Sequence, residues 1–434
     1  MSLRLGVQQC APPFKKTLVR IFITYEWYHG KLVIKGGIVM EPIFIIDGAR
    51  TAFTSFGGSF SGTGATELGR ATAIEAMERS KVDPAQIDHV IYGNVIHTEK
   101  NATYLARHIA LHSGVPQEVP AFMVNRLCGS GLQSVVSAAH HILVGDANIV
   151  LAGGTENMSQ SPYANFKQRF GGSKMGNLQF EDMLLTTLTD QYTGKGMGMT
   201  AEKLADQYSI SREEQDKFAI ESNQRASRAA ENGTFAEEIV AVEVKTRKGS
   251  IFIDKDEHIK PNANLESISK LRPSFLSDGT VTAANASGIN DGAASVVVAG
   301  EKAVRENGLK PLAKVVSWGV AGVDPTIMGI GPVPAIKKAL ARAGLSLADM
   351  DLVEVNEAFA AQYLSVEKEL GLDREKTNVN GGAVALGHPV GASGARILLS
   401  AAYELRRCGQ RYAAVSLCIG GGQGIAMIIE NTNS

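Results

Sequence analysis

The chain is written twice, and this duplication limits its possible folds more than any other feature of the sequence. Residues 73–95 read "AIEAMERSKVDPAQIDHVIYGNV" and residues 335–358 read "AIKKALARAGLSLADMDLVEVNEA". In both, apolar positions recur at i, i+3 and i+4, and a polar turn and a short apolar strand follow. Residues 124–154, "VNRLCGSGLQSVVSAAHHILVGDANIVLAGG", answer residues 387–421, "GHPVGASGARILLSAAYELRRCGQRYAAVSLCIGG". Each gives a glycine-rich loop, a helix carrying Ser-Ala-Ala, a Gly turn and a buried strand. The offset stays near 263 residues throughout. A constant offset across two units marks a duplicated supersecondary element. Helices alternating with short apolar strands place the chain in the α/β class, built as mixed layers. The expectation is a pseudo-symmetric core with a site where the halves meet.

Between the repeats the texture changes. Residues 159–289 carry Met-rich and Gly-rich loops and then the charged stretch "SREEQDKFAIESNQRASRAAENG". Ser211 with Glu214 three residues later forms a capping-box pattern, and Gly233 is the expected C-cap. The expected organisation is therefore an N-terminal unit of residues 40–158 and 290–308, an inserted loop domain of 159–289 that covers the site and holds most of the ligand, and a C-terminal unit of 309–434.

The 434 residues are enough for two or more packed cores. The formal net charge of -1 gives no basis for a nucleic-acid or anionic-membrane partner. No apolar run reaches the roughly 18 residues of a membrane span. Cys10, Cys128, Cys408 and Cys418 are scattered with no CxxC pair, which argues against a disulfide framework or a zinc site. Reduced thiols in a cytosolic enzyme are the expectation. Residues 1–39 lack the apolar stretch and cleavage site of a secretory signal, and Glu26 and the scarcity of serine disfavour a transit peptide. Globular patterning starts at "MEPIFIIDGARTAF", just after Lys35-Gly36-Gly37, which can be encoded by a ribosome-binding sequence. Met40 is read as the start of the fold, with residues 1–39 an extension outside it.

Four positions carry the chemistry. Cys128 precedes the helix of the first repeat in "NRLCGSGLQS", where the positive end of a helix dipole lowers a thiol pKa. Gly129 and Gly131 leave backbone N–H groups approachable. His388 sits in the matching loop of the second half, placed by the repeat opposite the cysteine as a general base. Asn356, after the apolar strand in "VEVNEAFAAQ", is placed to donate a hydrogen bond directly or through water. Cys418 is read as ending the last strand, and the glycines after it leave the N–H of Gly420 free to donate to an oxyanion. One thiolate can take an acyl group as a thioester. A second thiol can exchange a proton with a carbon beside another thioester carbonyl. That division of labour fits carbon–carbon bond formation or cleavage between thioesters.

From about Met40 to the C-terminus the chain resembles the thiolase family. The resemblance rests on "NRLCGSGLQS", "GGTENMSQ", "NASGINDGA", "VEVNEAFA", "GGAVALGHPVGASGAR" and "CIGGGQG", present in order and at the family's spacing. It implies duplicated α/β/α/β/α layers with an inserted loop domain, and an acyltransferase acting on acyl-CoA. Coenzyme A and acyl-CoA would be substrates, with no bound cofactor and no metal. Cys128 would be the acylated nucleophile activated by His388, and Cys418 the acid/base at the α-carbon. Asn356 would hold a water that forms one oxyanion hole with His388. The N–H groups of Cys128 and Gly420 would form the other.

Ser287 and Ala358 match positions beside the pantetheine arm, and Ser267 a position near the nucleotide. Lys260 stands where some members have a phosphate-side arginine; the charge is kept without the bidentate fork. Met197, Phe275 and Met328 match the apolar walls. Acetoacetyl-specific members often carry a histidine before "MG" in the insertion, and here Gly196 stands there. The run "LTDQYTGKGMGMTAEKLADQYSIS" is similar to the degradative 3-ketoacyl-CoA thiolases of fatty acid β-oxidation, particularly the mitochondrial type. The family's homodimer or homotetramer is the implied assembly.

Other readings fit less well. A papain-like hydrolase has the order Cys, His, Asn, not the Cys, Asn, His found here. A ketosynthase has no use for Cys418, and no GxGxxG lies between a strand and a helix with an acid downstream. A non-catalytic lipid-binding relative would be expected to lose the reactive positions, and all four are present.

Overall fold

Side chains alternate along a strand, and each core strand of this protein presents one set to a central helix layer and the other to an outer one. The computed structural model describes residues 21–28, 31–38, 41–172 and 174–432. The first half begins with β1 (Ile43–Arg50), α1 (Ala65–Ser80), β2 (His89–Gly93), β3 (Ala121–Val124), α2 (Ser130–Val144) and β4 (Ile149–Asn157). The inserted segment, with α3 (Met197–Gln207) and α4 (Arg212–Glu231), then precedes β5 (Asn290–Gly300). The second half runs β6 (Ala313–Gly322), α5 (Pro332–Ala343), β7 (Leu352–Val355), α6 (Ala360–Leu370), α7 (Ser393–Cys408), β8 (Tyr412–Ile419) and β9 (Gln423–Asn431).

The strand order is β7-β8-β9-β6-β1-β5-β4-β2-β3, with a short strand at Thr54–Ser55 added to β5. Read outward from the β6/β1 junction, the two arms repeat one order: β6-β9-β8-β7 and β1-β5-β4-β2. The outer pairs of the arms, β7 with β8 and β2 with β4, are parallel, and the inner pairs are antiparallel. The starts of β2 and β7, of α2 and α7, and of β4 and β8 are each 263 residues apart. The duplication read from the sequence is thus the symmetry of the sheet.

Packing gives the layers. Val296 and Val298 of β5, Val415 and Leu417 of β8, and Met427 of β9 share one buried cluster with Leu132 and Val135 of α2 and Ile397 and Leu398 of α7. Val297 turns to the other face, onto Ala73 and Met77 of α1. Ala414 and Ile428 turn to theirs, onto Ile336 of α5 and Tyr363 of α6. Helix, half-sheet, paired helices, half-sheet, helix is the resulting stack. Close packing of the halves demands glycine: a Cβ at Gly154 would lie 2.0 Å from the carbonyl oxygen of Gly391.

The capping box forms as expected, with the Ser211 side chain accepting from the Glu214 N–H. The C-cap is Asn232, one position before the expected Gly233, which follows it as the left-handed residue at φ 77° just after the last turn. Residues 21–28 and 31–38 pair as an antiparallel ribbon, Ile21 opposite Ile38. They belong to a unit of residues 1–41, and residues 42–434 form a second unit. Met40, read above as the start of the fold, lies outside the described residues, as does Cys10. Among the described residues no helix is long and apolar enough to cross a membrane.

Candidate active site

The nucleophile candidate sits on a bent backbone. Leu127 has φ 47°, a left-handed conformation that a branched residue adopts only when its surroundings hold it there. Those surroundings are specific. The Leu127 N–H donates to Asn125 Oδ1 at 3.0 Å, and its carbonyl accepts from Ser130 Oγ at 2.7 Å. Ser130 in turn accepts from the Arg126 N–H at 2.8 Å. This knot turns Cys128 toward an apolar cluster of Val95, Ile96, Met158, Leu184 and Val390, with Leu188 from the insertion beside it.

The backbone N–H groups of Gly420 and of Cys128 itself are aimed at the Cys128 sulphur. They favour the thiolate, but burial outweighs them and, with the Glu156 carboxylate nearby, pushes the thiol up to about 11. The sequence reading expected the helix start to lower this pKa. The sign is reversed because Leu188 and its neighbours close over a loop that looks open in the sequence. Cys128 is therefore a thiol at physiological pH.

Cys418 is fully buried at the end of β8, paired in register with Gly424 across a turn in which Gly421 and Gly422 have φ 76° and 82°. Those two angles are why the strand ends in glycine. Burial pushes the Cys418 thiol far up, and the proximity of Cys128 pushes it further. Charge on either thiol therefore bears on the other. Around Cys418 pack Met328 and Ala358, with Met197 and Phe359 partly buried against them.

His388 is buried on the loop before α7. Its Nδ1 lies 2.6 Å from Ser393 Oγ, which also lies 2.9 Å from the Pro389 carbonyl. An Nδ1–H donating to Ser393 would leave on Nε2 the lone pair that a base at this position needs. Nε2 is buried without a hydrogen-bond partner. Burial, helped by the Arg396 guanidinium, pulls the imidazole down to about 3, so it is neutral at physiological pH. Asn356, just past β7, donates its backbone N–H to the Ser416 carbonyl at 2.9 Å, beside the strand that ends in Cys418. Both polar atoms of its side-chain amide are buried and unpartnered. Buried polar groups are nearly always paired, so these orphaned atoms mark the place where a ligand or water is meant to sit.

The other sequence candidates divide. Met197, Met328 and Ala358 join the Cys418 cluster. Ser287 donates its N–H to the Ala358 carbonyl at 2.9 Å, which puts it on the same wall. Phe275 meets Phe359 edge-on at 6.2 Å. Ser267 is exposed in a short turn, its hydroxyl donating to the Asn264 carbonyl at 2.9 Å. Lys260 is exposed, and its backbone N–H donates to Asn223 Oδ1 at 2.8 Å. Neither reaches the sulphurs. The sequence reading missed Ser393, legible as a lone hydroxyl five residues after the histidine. It also missed Phe359 and the carboxylate of Glu156, which lay inside quoted motifs without an assigned task.

Comparison with known proteins agrees with this geometry. The family profile described as "Thiolase, N-terminal domain" matches residues 43–302, and "Thiolase, C-terminal domain" matches residues 309–431. The chain is 52% identical over 394 residues to the mitochondrial 3-ketoacyl-CoA thiolase of Homo sapiens, covering 91% of this chain and 99% of that protein. It is 49% identical over 389 residues to an acetyl-CoA acetyltransferase of Rhizobium meliloti, covering 89% and 98%. The crystal structure of the human mitochondrial 3-ketoacyl-CoA thiolase in complex with CoA superposes with a TM-score of 0.88 at 52% identity, covering 90% of this chain and 98% of that one.

Proposed function

Since the chain belongs to the thiolase family and is an acyltransferase of that family, we propose that Cys128 is its acylated nucleophile, His388 the base, and Cys418 the acid/base at the α-carbon. In thiolysis, Cys128 Sγ attacks the 3-keto carbon of a 3-ketoacyl-CoA while His388 Nε2 takes the thiol proton. The C2–C3 bond breaks, and the departing acetyl-CoA carbanion takes the Cys418 proton. The thiol of a second coenzyme A then attacks the acyl-enzyme and gives its proton to the Cys418 thiolate. Cys128 leaves and recovers its proton from His388. Protons balance with no further acid or base, and run in reverse the steps give Claisen condensation of acetyl-CoA.

One observation carries this reading: the N–H groups of Cys128 and Gly420 lie close enough to the Cys128 sulphur to favour its thiolate, and so within reach of the oxygen of a carbonyl bonded to it. Preorganised donors at the place where an oxyanion develops are the largest usual source of acyl-transfer catalysis. We assign the second oxyanion hole to His388 Nε2 and a water on Asn356, supported by their orphaned atoms.

The apolar surroundings of Cys128, including Leu184 and Leu188 of the insertion, suit an acyl chain longer than acetyl. Together with Gly196 in place of a histidine, they favour degradation of 3-ketoacyl-CoA over an acetoacetyl-only enzyme. A thiolysis assay across chain lengths should give kcat/KM rising by at least about threefold from C4 to C8 substrates, the gain expected for added methylenes in an apolar pocket. Activity confined to acetoacetyl-CoA would reverse the assignment. Ser287 and Ala358 are proposed beside the pantetheine arm, with Met197, Phe275 and Met328 as walls. Ser267 and Lys260 are proposed for the nucleotide end, their exposure suiting a solvent-facing phosphate.

The assembly we propose is a homodimer or homotetramer. It is supported by Tyr163, Phe166, Phe170, Phe180 and Tyr192, which are exposed on a single stretch of the insertion and suit burial against a second copy. Light scattering should read at least twice the chain mass of 46.1 kDa. A monomer at all concentrations would remove the proposal. Cytosolic residence is proposed on the unpaired state of Cys128, Cys408 and Cys418.

A further inference from the structure

Glu156, next to last in β4, is a fully buried carboxylate for which the acyl-transfer steps above have no use. Its two oxygens accept four hydrogen bonds. Oε1 accepts from the Ile96 N–H at 3.0 Å and Asn94 Nδ2 at 3.1 Å; Oε2 accepts from the Val95 and Gly391 N–H groups, each at 3.0 Å. Every partner is a donor, so a protonated carboxyl would have nothing to receive its hydrogen. The cradle fits the ionised form. Burial pushes the carboxyl up to about 8 despite the N–H groups of Ile96, Val95 and Gly391, and the Asp291 carboxylate adds to the push. An arrangement this costly calls for a task.

The four donors come from both halves of the molecule. Asn94, Val95 and Ile96 follow β2; Gly391 lies on the loop that carries His388, three residues away. The contact is tight, since a Cβ at Gly391 would lie 2.7 Å from Glu156 Oε2 and 2.9 Å from the Thr155 carbonyl. The pseudo-symmetry makes the carboxylate singular: the equivalent position in the second half, 263 residues on, is Ile419. A structural need shared by both halves would be met in both. This need arises only where the His388 loop crosses to the Cys128 side.

We propose that Glu156 is a positioning residue for acyl transfer, tying the His388 loop to the loop after β2 and so fixing the base relative to Cys128. Its charge also reaches the nucleophile, where it opposes the thiolate. The inference rests on the assignment of Cys128 as the acylated residue. That assignment fails separately if wild-type protein incubated with acetyl-CoA gains no mass at Cys128.

The test compares wild type with Glu156→Gln and Glu156→Asp. It measures kcat and KM for thiolysis, melting temperature, and the pH profile of Cys128 alkylation by iodoacetamide read by mass spectrometry. In Glu156→Gln the amide N–H₂ faces N–H donors and the charge is gone. We expect kcat lower by about 100-fold, as for a misplacement near 1 Å, KM for CoA within about threefold, and an alkylation midpoint about one unit lower. Glu156→Asp keeps the charge with shorter reach, so kcat should fall while the midpoint stays. A folded Glu156→Gln protein with wild-type kcat overturns the proposal, as does one whose kcat and melting temperature fall together with the midpoint unmoved. If Glu156→Gln does not fold, wild-type kcat in Glu156→Asp overturns it.

Discussion

Replacing Cys128 with serine is expected to lower kcat for thiolysis by at least about 10⁴-fold, the scale seen when a catalytic nucleophile is removed. Serine fits the site. Oxygen is smaller than sulphur, so the half-buried position takes it without a clash against Val390 or Leu127. What serine lacks is acidity. The proposed base, His388, is an imidazole held neutral by burial, with a pKa pulled down to about 3. Such a base can assist the proton of a thiol only in concert with attack on a carbonyl polarised by the Cys128 and Gly420 N–H groups. A hydroxyl, several units less acidic again, cannot be activated in the same way. Melting temperature should be unchanged, so the loss reads as chemistry. Steady-state thiolysis of a 3-ketoacyl-CoA decides it, and activity within tenfold of wild type would rule Cys128 out.

Cys418→Ala should separate the two halves of the reaction. The Cys418 sulphur is fully buried, and its thiol is held protonated by burial and by the neighbouring Cys128. Within the Cys418 cluster the other members are Met328, Ala358, Met197 and Phe359, none of which can give or take a proton. Overall thiolysis and condensation should therefore fall by about 10³-fold, within the usual contribution of a positioned acid or base. Transfer of an acetyl group from acetyl-CoA to Cys128 needs no proton at the α-carbon; there Cys418 only protonates the departing CoA thiolate, a good leaving group by itself, so this half should fall by no more than about tenfold. The small void left by the sulphur costs about 1 kcal/mol at most. Equal loss of both half-reactions would show that Cys418 has no special role at the α-carbon.

Much of this was legible in the sequence because duplication leaves a measurable mark. The 263-residue offset predicted equivalent loops, and the sheet confirms it by repeating one strand order on both sides of the β1/β6 junction. Cys418 and Gly420 were legible because three consecutive glycines after a buried strand have few explanations besides close backbone approach. The electrostatics of Cys128 was not legible. Sequence showed a helix start, but the burial that reverses the pKa comes from Ile96, Met158 and Leu188, tens of residues away in the chain. The left-handed Leu127 was invisible for a related reason, since its strain is held by Asn125 and Ser130 side chains rather than by a glycine. The contact of Ser393 with both His388 Nδ1 and the Pro389 carbonyl was not legible either, since no spacing rule supplies it.

Intact-mass spectrometry of the protein quenched after exposure to excess acetyl-CoA tests the central assignment most directly. The account predicts one added acetyl group per chain, about 42 Da, mapped by peptide digestion to Cys128. It should be retained in Cys418→Ala and missing in Cys128→Ser. An unmodified wild-type mass, or an acetyl group carried on any other residue, would contradict it.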